Sequence, residues 1–157
     1  MRDKAKILWF EPAIFIFFGL FHTHRIWALV DRNKYADFWL NIMNNRGVLY
    51  FLLMGILSCL CIAGIIVFLK NTKNNYWWRW SYIFGGGYVL FDLLAILLKL
   101  QFWKKILLFM FDTTSVYWNY IWSFFIIMGI LSFFLGLHLI KMMIQSNYTI
   151  KRSVKAI

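Results

Sequence analysis

The chain has 157 residues, 62% of them hydrophobic and 22% aromatic, with one proline and a mean hydropathy of +0.67. This composition lies outside soluble-domain usage and marks an integral membrane protein. The formal net charge of +11 is spread over every polar connection; that suits anionic lipid headgroups, whereas connections this short offer no water-facing platform for nucleic acid.

Four apolar stretches, Ile7–Val30, Val48–Leu69, Trp80–Leu98 and Tyr117–Ile140, each meet the length of about 20 residues needed to cross a hydrocarbon core. They predict an all-α polytopic membrane protein with four transmembrane helices in one bundle. That bundle is a single domain over residues 1–157, with no space left for a soluble catalytic domain. The basic start and apolar run of MRDKAKILWF have the outline of a signal peptide. Glu11 and Pro12 interrupt the run, however, and no small-x-small cleavage site follows, so an uncleaved first span is expected.

Span one carries Glu11, His22, His24 and Arg25. At about 100° per residue, Glu11, His22 and Arg25 share a face while His24 points away. In the connection Asp31–Arg46, the residues Tyr35, Phe38, Trp39, Ile42 and Met43 recur at i, i+3, i+4, i+7 and i+8, and Asp31 is placed to cap them. They predict an amphipathic helix that lies in the membrane interface, packs on the bundle as a lid or offers a docking face.

In span two, Gly55 and Cys59 form a small-xxx-small pair. Cys59 and Cys61 point about 200° apart on a helix, so they do not bridge one another and read as packing residues. The next connection ends in Tyr76, Trp77, Trp78 and Trp80, an aromatic anchor at headgroup depth.

Span three opens with Gly85, Gly86 and Gly87 and carries Asp92. Three glycines cost about 1 kcal/mol each in a helix interior, which predicts a kink, an unwound segment or close helix contact. Asp92 is the foremost functional suspect, because a carboxylate at the centre of a span costs about 2.5 to 3.5 kcal/mol. Gly85, Tyr88, Asp92, Ala95 and Lys99 share its face. The segment from Lys99 to Ser115 is too apolar in its middle for water, predicting a surface helix or a bent extension of span three. In span four, Ser132 and Gly136 form another small pair, and His138 lies near the end.

Depth restricts partners. Asp92 stands about 18 Å into span three and His22 about 22 Å into span one, whereas Glu11, about 6 Å in, meets the level of His138. Two layers are predicted: Asp92 with His22 and Arg25, and Glu11 with His138. The first layer can bind a proton, an ion or a polar headgroup, or can serve as an internal ion pair. No HxxxH or ExxH pair occurs and His22 and His24 face apart, so neither a metal, a haem nor another cofactor is expected.

With both ends inside, ten Lys and Arg fall on the inner side and seven on the outer, favouring cytoplasmic termini. Abundant Phe, Ile, Lys and Asn suggest a bacterial cytoplasmic membrane. Three functions follow. The first is a non-enzymatic subunit acting by association with the bilayer and a protein partner or its own copies, in an accessory, immunity or complex role. The second is a small oligomeric transporter or proton-linked carrier. The third is a membrane-embedded enzyme on lipid or isoprenoid substrates, with a carboxylate and a histidine as acid and base.

Overall fold

The computed structural model describes residues 6–73 and 75–154, with 146–154 described by backbone alone. Terminal charges that enter the orientation count, Arg2, Lys4 and Lys155, lie outside the described residues. The described chain is helical and without strands: α1 is Glu11–Thr23, α2 Ile26–Val30, α3 Arg32–Asn45, α4 Val48–Lys70, α5 Trp80–Leu97, α6 Gln101–Met110 and α7 Trp118–Val154. Four segments among them are long and apolar enough to cross a membrane: Glu11–Val30, Val48–Lys70, Trp77–Leu97 and Trp118–Gln145. The fold class expected from hydropathy is therefore present, with span one broken between α1 and α2. The chain divides into two compact units, one formed by Trp27–Trp122, the other by Lys6–Ile26 and the chain from Ser123 onward.

The first unit is organised by an antiparallel hairpin of α4 and α5. Gly86 lies against Cys61, whose Cα is 3.7 Å from where a Cβ on that glycine would stand, and Gly64 lies against the Tyr82 ring. Phe68 meets Trp80 edge-on at 4.7 Å. Three side chains near the turn satisfy carbonyls left open at the end of α4: Asn71 donates to Val67, Thr72 to Leu69 and Asn75 to Phe68. Helix termini always leave such carbonyls without intrahelical donors. Helix α5 is continuous through Gly85, Gly86 and Gly87, so the glycine run does not unwind it; of the alternatives expected, Gly86 makes the close helix contact.

Helix α3 forms as its stripe predicts, and the Asp31 side chain accepts from the Lys34 backbone N–H at 3.1 Å. That bond and the Lys34 ammonium hold the Asp31 carboxyl below the usual carboxylate range. Tyr35 and Ala36 are buried, with the Tyr35 ring packed against Phe111, Trp118 and Trp122. Trp118 Nε1 donates to the Ala28 carbonyl at 2.7 Å, and Arg32 donates to Thr113 O and Asn119 Oδ1. Of the stripe residues on α3, Tyr35 is buried in protein, Trp39, Ile42 and Met43 are half-buried and Phe38 is exposed. Before α7, Thr114 donates from its hydroxyl and its backbone N–H to Asp112, holding that carboxyl low as well.

In the second unit α1 and α7 pack antiparallel at backbone distance. A Cβ on Gly136 would stand 3.0 Å from Pro12 O and Ile16 N, one on Gly129 would stand 2.9 Å from Gly19 O, and one on Gly19 would stand 2.7 Å from Phe133 N. Ser132 Oγ donates to Phe15 O at 2.9 Å. Lipid is as apolar as leucine, so helices in a membrane associate through close packing and polar bonds rather than burial from water. Gly129, Ser132 and Gly136, spaced i, i+3, i+7, supply both along one face.

Candidate functional site

Asp92 lies in α5, five residues before its end at Leu97, and its environment is set by a chain reversal. The N–H of Leu100 donates to Ala95 O and that of Lys99 to Ile96 O, the paired bonds of a Schellman stop. Its left-handed position is taken by Lys99 at φ 54 rather than by a glycine. Helix α6 then folds back beside α5 and brings Trp103, 91% buried, over the carboxylate. Trp103 Nε1 donates to Asp92 Oδ1 at 2.6 Å. Phe91, Phe102 and Tyr88 surround the indole, with ring centroids at 5.2, 5.9 and 6.3 Å.

A hydrogen bond to a charged group contributes about 1.5 to 3 kcal/mol net, comparable with the cost of carrying the carboxylate into a span. The bond therefore does structural work in tying α6 to α5. Sequence reasoning missed Trp103, because it sought partners at equal depth on other spans. The available signal was the apolar segment after Lys99, too hydrophobic to lie anywhere but against the hairpin or in the interface.

In the second unit His22 faces α7: a Cβ added to Gly129 would stand 2.7 Å from the His22 Cβ. The imidazole stacks on Phe125, with centroids 5.8 Å apart and planes 8° from parallel. The Arg25 guanidinium stands over the same ring at 4.4 Å, a cation–π distance. His22 and Arg25 do share a face, one turn apart, and Phe125 joins them. The His22 Nδ1 is buried with no hydrogen-bond partner among the described residues, whereas His24 Nδ1 bonds the Phe21 carbonyl.

Compared with family models, curated proteins and solved structures, the chain matches none of them.

The predicted inner layer of Glu11 and His138 is not formed. Glu11 is fully buried and accepts from the Leu8 backbone N–H at 2.6 Å, which ties down the chain entering α1. His138 is exposed, and no hydrogen bond or ion pair joins it to another described residue. The reason is rotational. Gly136 faces α1, so a residue two further along points about 200° away; equal depth placed His138 at the right level on the wrong side. The predicted pair Gly55 and Cys59 is likewise not used between α4 and α5. Cys61, Gly64 and Gly86 make that contact, while Cys59 is exposed.

One buried charge escaped the sequence reading. Arg79 is fully buried at the start of span three, donating to Asn75 Oδ1 at 3.4 Å and lying over the Tyr76 and Trp78 rings. Among the described residues no group of three or more His, Cys, Asp or Glu is placed to hold a metal ion.

Proposed function

We propose that this protein works by association, as an accessory, immunity or complex subunit of a bacterial cytoplasmic membrane, with both termini on the cytoplasmic side. One observation carries the reading. Within the first unit a Cβ on Gly55, Gly85 or Gly87 would meet nothing within 4 Å, so these helical glycines are not required by their own unit. Each costs helix stability of about 1 kcal/mol relative to alanine. Small residues on an outer helix surface let another helix approach closely. The carrier reading draws less support, since the features that favoured it have local roles: Asp92 bonds Trp103, and the glycine run is regular helix.

The test places bulk where the unit itself has space. Full-length protein extracted in mild detergent is expected to run as an assembly well above the 18.9 kDa of one chain, with or without a second polypeptide. Gly85→Leu and Gly55→Leu should dissolve that assembly while leaving thermal unfolding of the single chain unchanged. A monomeric wild type, or leucine variants that assemble normally, overturns the proposal. A normal assembly whose Asp92→Asn form has lost proton-coupled uptake would assign the protein to the carriers instead.

A further inference from the structure

The first unit contains a groove of about 460 Å³ between the end of α3, the turn after α5 and α6. Its volume falls within the range of small-molecule sites, roughly 300 to 1,000 Å³. Arg46, Lys99 and Lys104 line it together with apolar side chains such as Leu40, Met43 and Leu107, and no Asp or Glu does. Three cations over an aliphatic floor complement a ligand that is anionic at one end and apolar at the other.

Depth agrees with that chemistry. Span two begins at Val48 and span three ends at Leu97, so Arg46 and Lys99 follow immediately beyond the apolar windows, at the level of headgroups. The backbone points the same way. Arg46 at φ 46 and Lys99 at φ 54 are the only non-glycine residues with positive φ among the described residues, and both line the groove. Glycine adopts that conformation without the steric cost a side chain brings, yet both positions carry long cations.

Arg46 is held ready. Its Nη2 donates to the Ile96 and Leu97 carbonyls at 3.1 and 3.2 Å, and its guanidinium lies 5.6 Å from the Tyr50 ring centroid. Nη1 and Nε make no bond to any described residue. Lys99 and Lys104 are exposed, and their ammonium groups make no hydrogen bond or ion pair with any described residue.

We infer that this groove is a binding site for one anionic phospholipid, its phosphate held by Arg46, Lys99 and Lys104 and an acyl chain lying over Leu40, Met43 and Leu107. A phosphate with two or three cationic donors forms short, charge-assisted bonds, and each lysine near a membrane surface strengthens anionic-lipid binding severalfold. Phosphatidylglycerol serves as the probe. Delipidated full-length protein is titrated with it and the retained lipid counted by native mass spectrometry, with phosphatidylcholine alongside.

The wild type should retain one phosphatidylglycerol in preference to phosphatidylcholine. Lys99→Gln with Lys104→Gln should weaken it roughly thirtyfold. The control double variant Lys34→Gln with Lys105→Gln removes equal charge outside the groove and should retain the lipid. Lys99→Gly, which relieves the left-handed strain, should raise the thermal midpoint of the lipid-free protein while lowering retention. Equal loss in both double variants would mean diffuse surface attraction, and displacement by millimolar inorganic phosphate would mean a free-anion site. Either outcome overturns the assignment, as would a Lys99→Gly variant that loses stability together with lipid.

Discussion

Asp92, the residue that looks functional by type, also ties two helices of its own unit together. The carboxylate inside a span accepts an indole N–H from a helix that the same chain folds back over it. Asparagine retains an acceptor at that position and leucine does not. Asp92→Asn should therefore unfold within about 1.5 kcal/mol of wild type, because only charge assistance is lost. Trp103→Phe, which removes the donor and leaves the carboxylate short of it, should cost about 1 to 3 kcal/mol, read as a lower thermal midpoint in the same detergent. If the order is reversed, the indole is not what supports the carboxylate. Asp92 stands out in the sequence because charge and hydropathy are local properties. The sequence had no means of finding Trp103, whose approach depends on a reversal at Lys99, a residue type that does not announce a left-handed turn.

Among the helices, glycine has opposite meanings on α7 and on the open surface of α4 and α5. On α7, Gly129 is pressed against His22 and the backbone of α1, and a methyl group there would meet atoms at 2.7 to 2.9 Å. Gly129→Ala should therefore destabilise by about 1 to 3 kcal/mol through overpacking, outweighing the gain of about 1 kcal/mol in helix propensity. Gly55→Ala has open space and should show only the gain, in the isolated chain. Thermal unfolding of the two variants side by side checks the contrast; stabilisation by Gly129→Ala would sink the close-packed arrangement of α1 and α7. The same chemistry at 55, 85, 129 and 136 is indistinguishable in sequence, because small-xxx-small spacing specifies a face but not what covers it. The amphipathic stripe of α3 was more legible: its caps and period are local, although burial of Tyr35 beneath Trp118 and Trp122 rests on residues more than eighty positions away.

For the whole molecule, the pairing of Asp92 with His22 expected from their depth in the sequence is open to a direct test. A double-mutant cycle of Asp92→Asn and His22→Phe, read by thermal unfolding, tests it. Coupling of about 0.5 to 3 kcal/mol is the result expected of interacting groups, whereas strictly additive effects would overturn the pairing. Four apolar stretches, an amphipathic segment capped by Asp31 and an excess of cations were determined by sequence alone, because hydropathy and helical period follow from chain composition and a spacing of 3.6 residues per turn. Tertiary structure alone decided that Trp103 covers Asp92, that His138 turns away from Glu11, and that Arg46 and Lys99 converge on one groove. Each of those depends on the rotation of one helix against another and on where the chain reverses, quantities set by side-chain packing between distant residues and invisible to periodicity within any one of them.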